Sequence, residues 1–293
     1  MAPVAVTRPR TQIDPSQIPQ DVYPVVRVST EFFLRGFDLL CQMHSDVVSG
    51  LVFMTIWQGQ ALAPTRRPMG IRELARKLVM PYETVRRHVR TLEQGGYCVV
   101  EKGGPTIPVQ LSRPTLAFLR RVHGSALRVL GDLTRIGVTK FVASSQRSKQ
   151  SQRLSKKELA IATAATGLLL SGMKALRDFF DGDLMRGLVF TAIWTANVKH
   201  VTNSTPAATR TVLADSQRLP ISVLAVSNSL RLPYETVRRH VDALVKDGRC
   251  LRAGRHGVVV PATALREMAA DAITSYRIVM TFVSDVRAAG VKV

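Results

Sequence analysis

Glu83 and Arg87 stand four residues apart, a spacing that places both side chains on one face of a helix. Arginine can pair bidentately with guanine O6 and N7, and glutamate can accept a hydrogen bond from cytosine N4. Together the two side chains could contact neighbouring base pairs. The same spacing also suits an exposed ion pair of little energetic value. A single occurrence leaves both interpretations open.

The pair belongs to a nine-residue string, Pro-Tyr-Glu-Thr-Val-Arg-Arg-His-Val, that occurs twice without change, at Pro81–Val89 and Pro233–Val241. The similarity extends upstream, where Gly50–Trp57 resembles Gly187–Trp194. Such self-similarity indicates a duplicated structural unit. We therefore predict two versions of one domain in the chain.

Exposed positions that flank the string have changed between the copies. Arg90 corresponds to Asp242, and Glu93 corresponds to Val245. The Glu and Arg of the string are unchanged although their surroundings have drifted. This contrast favours a functional role over a surface ion pair.

The apolar pattern around the string predicts the elements that position it. Residues Ile71–Leu78 form a short amphipathic helix. Pro81 breaks the pattern and suits the first turn of a second helix, Tyr82–Gln94. Val85, Val89 and Leu92 face the core on that helix, and Gly96 is expected to be its left-handed cap. Two helices around a tight turn are typical of a helix-turn-helix.

Short strands after the second helix predict a β-hairpin, or wing, in each copy. In the first copy we expect strands at 97–100 and 107–111 around the turn Glu101–Gly104. In the second copy we expect strands at 250–252 and 258–260. The predicted fold is mainly α with small β-hairpin wings. It comprises two tandem winged helix-turn-helix domains in one chain, a pseudo-dimeric arrangement.

Proline content, charge and periodicity set the expected domain boundaries. A disordered arm covers 1–24, the first winged-helix domain 25–139, a basic flexible linker 140–157 and the second domain 158–293. The first helix is expected to begin at an N-cap formed by Ser29 or Thr30. The last helix is expected to run without a break from Pro261 to about Ala289.

The charge of the chain predicts a polyanionic partner. It has 41 Lys and Arg against 21 Asp and Glu, which gives a net charge of +20. Nucleic acid is the first expectation and an anionic membrane surface the second. The apolar stretch Leu159–Met173 is short for a membrane span and is expected to be a buried helix. We expect no membrane partner.

Three cysteines are too few for a disulfide framework, and Cys98 and Cys250 are expected to be buried equivalents. No cysteine and histidine spacing matches a zinc site, and no cofactor is expected. A glycine-rich phosphate loop, a metal cluster and a nucleophile motif are all missing from the sequence, so we do not expect an enzyme.

Each copy resembles the winged helix-turn-helix domain of bacterial transcription regulators. The segment Ile71–Val99 is similar to the DNA-binding segments of the cyclic-AMP receptor, GntR and MarR families. The motif Glu-Thr-Val-x-Arg most resembles the recognition helix of the cyclic-AMP receptor family. This resemblance implies that the Glu and the last Arg reach base edges and that the preceding Tyr faces DNA. Val79 and Arg231 replace the usual glycine of the turn, so we expect a differently shaped turn.

The candidate DNA-binding residues lie on the two recognition helices and on the two wings. Thr84 and Thr236 are expected to contact phosphate, as are Lys102 in the first wing and Arg255 and His256 in the second. His88 and His240 lie towards the core. The remaining candidates are Tyr82, Glu83, Arg86, Arg87, Arg90, Tyr234, Glu235, Arg238 and Arg239.

The sequence favours a sequence-specific regulator of transcription that binds double-stranded DNA at two copies of one half-site. The half-sites form an inverted or a direct repeat, depending on how the domains are related. The alternatives are a plasmid-type replication initiator and a nucleoid or architectural DNA-binding protein. A cytoplasmic, nucleoid-associated location is expected. Homo-oligomerisation and a small-molecule effector are left open.

Overall fold

The computed structural model describes residues 18–44, 46–61, 68–142, 154–202, 211–255 and 257–293. Within these ranges the chain is mainly helical, with short antiparallel strands and one 3-10 turn at Asp215–Gln217. The helices are α1 (Val22–His44), α2 (Val47–Ala61), α3 (Ile71–Leu78), α4 (Tyr82–Gln94), α5 (Arg113–Arg135), α6 (Lys156–Phe179), α7 (Leu184–Thr202), α8 (Val223–Leu230), α9 (Tyr234–Lys246), α10 (Ala262–Glu267) and α11 (Ala269–Ala288). The strands are β1 (Val99–Glu101), β2 (Gly104–Thr106), β3 (Ile221–Ser222), β4 (Leu251–Ala253) and β5 (Gly257–Val259).

The contacts within the chain divide it into two units, each containing one copy of the repeated string. The first-copy unit comprises Val28–Lys174 and Ile278–Val293, and the second-copy unit comprises Met1–Arg27 and Ala175–Arg277. The division falls within α1, α6 and α11. The contiguous domains that the sequence suggests, 25–139 and 158–293, stay a prediction.

Helix α2 is the centre of the first-copy unit because it is apolar on all sides. Val52, Phe53 and Ile56 are fully buried. The Phe53 ring packs edge-on against Phe118 of α5 and against Tyr97, with ring centroids 5.4 and 5.9 Å apart. Helices α3 and α4 also pack on α2. Helix α4, which carries the repeated string of this copy, therefore rests on a buried apolar support.

Helix α7 takes the same position in the second-copy unit. Leu188, Val189 and Ile193 are fully buried on it, and α8 and α9 pack against it. The short α8 begins after Ser222, whose hydroxyl oxygen accepts a hydrogen bond from the Ala225 N–H at 3.1 Å. Each copy of the string therefore belongs to a helix that is supported by a long apolar helix upstream.

Helix α6 is longer than the apolar stretch that the sequence suggests. By length and composition it could cross a membrane, as could α1 and α2 if they are taken together as one bent span. This is weak evidence, because core helices of soluble proteins pass the same test. In the first-copy unit α6 packs closely through glycine, since a Cβ on Gly36 would lie 2.2 Å from Leu169 Cδ2 and one on Gly172 would lie 1.9 Å from Phe33 Cε1. The expected absence of a membrane partner stays a prediction.

Two helix boundaries differ from the sequence-based expectation. Helix α1 begins at Val22 and not after Ser29, so residues 22–24 of the expected disordered arm are helical. Val22 is fully buried, and Pro24 lies in the first turn, where its missing N–H has no helical acceptor. Residues 1–17, the rest of that arm, lie outside the described residues. The expected single last helix is broken at Met268 into α10 and α11.

The linker prediction falls largely outside the described part of the chain. Residues 143–153 are not described, and α6 begins at Lys156, near the predicted end of the linker.

Both wings are present as hairpins, but their strands are shorter than expected or displaced. In the first wing β1 pairs antiparallel with β2, from Val99 opposite Thr106 to Glu101 opposite Gly104. The returning strand ends at Thr106, whereas the sequence predicts a strand at residues 107–111. In the second wing β4 pairs with β5, and β5 also pairs with β3. Strand β3 directly precedes α8.

A proline explains why the first wing lacks the third strand. In the second wing Ile221 pairs with Val258. The hairpin registers make Pro105 the counterpart of Val258, and proline has no N–H to donate to a ladder. The first wing still runs close to the same segment, because a Cβ on Gly104 would lie 2.3 Å from Met69 O.

A buried amide side chain attaches each wing to its supporting helix. In the first copy, Gln60 Oε1 of α2 accepts a hydrogen bond from the Ile107 N–H at 2.7 Å. In the second copy, Asn197 Oδ1 of α7 accepts one from the Val260 N–H at 2.9 Å. Asn197 Nδ2 also donates to Leu219 O at 2.7 Å and Val258 O at 3.2 Å. These two amides occupy equivalent positions, three residues after the duplicated tryptophan.

The turn between the two short helices keeps a left-handed residue in both copies, although neither copy has glycine there. Val79 has φ 53° and ψ 52°, and Arg231 has φ 54° and ψ 37°. The N–H of Met80 donates to Ala75 O at 2.9 Å, and that of Leu232 donates to Ser227 O at 3.1 Å. This bond closes the helix end as it does in glycine-capped helices. The expectation of a differently shaped turn is therefore wrong, and the backbone strain falls on these two residues.

The two equivalent cysteines are buried as predicted. Cys98 is 2% exposed and Cys250 is fully buried. Burial raises the pKa of each thiol to about 12, so both remain protonated at neutral pH. Their environment is that of small apolar side chains and not of reactive thiolates.

We predict that Val79→Gly increases the stability of the protein. The side chain is 70% exposed, so little packing is lost. Removing the Cβ relieves left-handed strain of about 1–2 kcal/mol, which the greater freedom of glycine in the unfolded chain offsets in part. Urea unfolding should show a net gain of about 0.5–1 kcal/mol. Val109→Gly is the matched control, because Val109 is also exposed but has no left-handed backbone, and it should lower stability. A loss of stability in both variants would contradict the backbone strain that we assign to Val79.

We predict that Asn197→Leu destabilises the protein by about 2–4 kcal/mol, because it leaves buried backbone groups of the second wing unpaired. Thr195→Val is the control. Its hydroxyl donates only to Thr191 O within the same helix, so its loss should cost less than about 1 kcal/mol. Both are measured by urea unfolding. Equal losses in the two variants would show that Asn197 does not hold the wing.

Candidate nucleic-acid interface

One face of α4 is buried, and this determines which side chains point outward. Val85, Val89 and Leu92 are at most 1% exposed and face α2 and α3. Helical spacing places Glu83 and Arg87 on the opposite face, and both are exposed. Helix α9 has the same arrangement, with Val237, Val241 and Leu244 fully buried. Each helix therefore presents the Glu and the second Arg of the string to solvent.

The exposed ion pair in the string is not the one that the sequence suggests. Glu83 Oε2 accepts from Arg86 Nε at 2.8 Å, a contact between residues three apart. Arg87 is exposed, and its guanidinium has no hydrogen-bond or ion-pair partner among the described residues. The alternative interpretation of Glu83 and Arg87 as a surface ion pair is therefore wrong for this structure.

The second copy repeats this geometry. Glu235 Oε2 accepts from Arg238 Nε at 2.9 Å. Arg239 is exposed, again without a hydrogen-bond or ion-pair partner in the described part of the chain. Tyr82 and Tyr234 begin the two helices and are 43% and 45% exposed, which is high for aromatic side chains. The matching tyrosines and arginines give both helices the same exposed chemistry.

The two copies differ on the next turn of the helix. In the second copy Asp242 Oδ2 accepts from Arg238 Nη1 at 2.8 Å, and Asp242 Oδ1 accepts from Arg252 Nη2 of β4 at 2.5 Å. The hydrogen bond and charge of Glu235 raise the pKa of Arg238, and Asp242 adds to this effect. In the first copy the equivalent position is Arg90, which is exposed. At this position α4 therefore carries a positive charge and α9 a negative one.

A histidine connects α4 and α9 each to the start of its supporting helix. His88 Nδ1 lies 2.8 Å from Asp46 Oδ2 and 2.9 Å from Ser49 Oγ. Asp46 also accepts from the Val48 N–H at 2.9 Å at the start of α2. In the second copy His240 Nδ1 lies 3.5 Å from Asp183 Oδ2. The histidines therefore help to orient α4 and α9, consistent with the expectation that they lie towards the core.

The candidate residues of the wings that the structure describes lie at the hairpin tips. Lys102 is exposed in the two-residue turn between β1 and β2, and Arg255 is exposed between β4 and β5. His256 lies outside the described residues. Thr84 and Thr236 are half-buried at the starts of their helices. The first wing is also attached to α4, because the Val100 N–H donates to Glu93 Oε1 at 3.1 Å.

Sequence reasoning missed the side chains that orient the interface. These are the carboxylates that contact the histidines and the amides that hold the wings. A signal for them was present, because Asp46 and Asp183 each stand four residues before the duplicated Gly-Leu-Val-Phe, and Gln60 and Asn197 each stand three residues after the duplicated tryptophan. No group of three or more potential metal ligands occurs among the described residues.

Comparison with known protein families identifies the first of these structural copies. The IclR helix-turn-helix domain matches residues 60–101, from the buried amide Gln60 through α3 and α4 to the last residue of β1. The matched segment contains all the candidate DNA-binding residues of the first copy except Lys102, which directly follows it. No curated protein matches the chain. No solved structure matches it.

The match supports the helix-turn-helix prediction but is to a different family from those that the sequence resembles. The similarity to the cyclic-AMP receptor, GntR and MarR families stays a prediction, as does a winged helix-turn-helix in the second copy. The chain contains an IclR-type helix-turn-helix domain at residues 60–101, which supports a DNA-binding regulator of transcription.

Proposed function

We propose that the chain is a sequence-specific regulator of transcription that binds two copies of one short DNA half-site. Helices α4 and α9 are the two recognition helices in this proposal. The observation that carries it is the pair of exposed arginines, Arg87 and Arg239, that have no partner among the described residues while the neighbouring Arg is paired with Glu. An exposed guanidinium on a rigid helix can pair bidentately with guanine.

The remaining candidates have supporting roles in the proposed complex. Glu83 and Glu235 accept from cytosine N4 in a neighbouring base pair, and their ion pairs with Arg86 and Arg238 hold them in place. Tyr82 and Tyr234 contact DNA beside the helix start. Thr84, Thr236 and the wing residues Lys102, Arg255 and His256 contact the phosphate backbone, which adds affinity without sequence information.

The difference between Arg90 and Asp242 does not alter the residues proposed to contact bases, which are identical in the two copies. Arg90 can contact phosphate, whereas Asp242 is paired with Arg238 and Arg252. We therefore propose that both copies prefer the same bases.

We place this activity with the chromosome, in the cytoplasm, and propose no role for a cofactor, a metal ion or catalysis. Self-association into a homo-oligomer is compatible with the proposal but is not needed, since one chain supplies two recognition helices. The positive charge of +20 supports attraction to DNA independently of sequence.

The test compares binding of a preferred duplex and a random duplex by the full chain and by the double variant Arg87→Ala/Arg239→Ala. Losing both bidentate contacts should reduce the preference for the specific duplex by about 1–3 kcal/mol per contact, roughly 5- to 150-fold. Lys102→Ala is the control, because a phosphate contact should weaken both duplexes equally and reduce the salt dependence by about one charge.

An equal loss on both duplexes in the double variant would contradict base contact by these arginines. Binding that ignores sequence in the unmodified protein would instead support an architectural role.

A further inference from the structure

Two arginine side chains are buried beside each other in the second-copy unit. Arg27 of α1 and Arg218, which follows the 3-10 turn, are each 5% exposed. Both line a small cavity of about 10 Å³ whose other walls include Tyr23, Trp194 and Leu265. A buried charge is costly unless it is paired and hydrogen-bonded. The cavity is therefore an unusual place for two positive charges.

Arg218 has hydrogen-bond donors that the described residues do not satisfy. Its Nη2 donates to Leu213 O at 2.8 Å, and its Nε lies 3.3 Å from Asp215 Oδ1 without hydrogen-bond alignment. Nε and Nη1 are inaccessible to solvent and have no hydrogen-bond partner in the described part of the chain. The same Asp215 oxygen already accepts from the Ala262 N–H at 2.7 Å. Nη1 is therefore a buried, charged donor in need of an acceptor.

The charges that act on Arg218 are also unbalanced among the described residues. Arg266 of α10 adds a positive charge that acts on Arg218, whereas Asp215 supplies the negative charge. Burial lowers the pKa of Arg218, and burial together with the charge of Arg218 lowers the pKa of Arg27 to about 10. Both side chains remain protonated at neutral pH. A water molecule could accept from Nη1 but would add no negative charge to the cavity.

We propose that this cavity is a binding site for a small anion that accepts from Arg218 Nη1 and is attracted by Arg27. The space matches about one water-sized sphere, so a chloride ion fits with little adjustment. A phosphate or a carboxylate would enter with one oxygen. The shared chemistry is a compact negative charge with lone pairs directed at a guanidinium.

The location connects the proposed site to the second wing. Leu219 follows Arg218 directly, and its N–H and carbonyl both bond to Asn197, at 3.0 and 2.7 Å. Two residues later Ile221 pairs with Val258 of β5. An anion bound to Arg218 would therefore stabilise the segment that leads into β3 and α8. This inference does not depend on which DNA sequence the chain binds.

The test is thermal unfolding of the full chain at constant ionic strength, with chloride, phosphate or acetate replacing gluconate, whose hydroxylated carbon chain is too bulky for its carboxylate to enter the cavity. Saturable binding of one anion should raise Tm by about 3 °C for each tenfold increase in concentration above Kd. Arg218→Gln should abolish the rise, whereas Lys246→Gln, an exposed cation of the same unit, should retain it. The largest rise in Tm with chloride would identify a halide site, and the largest rise with phosphate or acetate would identify an oxyanion site.

A second measurement needs no variant and decides the question if Arg218→Gln does not fold. Chlorine-35 NMR for chloride, phosphorus-31 NMR for phosphate or proton NMR for acetate should show saturable line broadening of the stabilising anion in the presence of the unmodified protein. The proposal is overturned if none of the three anions raises Tm, if the rise survives in Arg218→Gln, or if no saturable broadening is seen.

Discussion

Burial of the valine and leucine face of the repeated string is the constraint on which the interface depends. Val85, Val89 and Leu92 are almost completely excluded from water, as are their equivalents on α9. Complete burial of such a side chain contributes about 1.5–3 kcal/mol, so three per helix fix its rotation about its own axis. Once that rotation is fixed, Arg87 must point outward. The contacts of His88 and Glu93 then hold the position that the apolar face determines.

The same fixed geometry explains why the unusual turn and the buried amides are retained in both copies. A left-handed Val79 costs stability, yet it sets the path from α3 into α4. Gln60 and Asn197 satisfy backbone groups that the hairpins leave unpaired. These costs and contacts recur at equivalent positions, whereas the outer surface varies, as at Arg90 and Asp242. The two copies thus keep the same support for α4 and α9, whereas individual exposed residues of these helices differ.

Much of this organisation could be predicted from the sequence, because apolar periodicity and the exact repeat are strong local signals. They give α3, α4 and the buried face of the string almost to the residue. Periodicity could not predict the Glu83–Arg86 pair, because spacings of three and four are both compatible with a helix. It also could not predict β3, which depends on a partner strand 37 residues away in the chain, at Val258. The proline content of residues 1–24 predicts an irregular arm, whereas Pro24 lies in the first turn of α1, a position to which proline is well suited.

The most direct test of the central claim is selection of bound duplexes from a random pool by the full chain. If α4 and α9 both contact bases through the same Tyr, Glu and Arg residues, they should select two copies of one short sequence, with centres about one helical turn or a multiple of it apart. The relative orientation of the two selected copies shows whether the site is an inverted or a direct repeat. Selection of two unrelated half-sites, of a single half-site, or of no sequence at all would contradict the claim that α4 and α9 recognise the same bases.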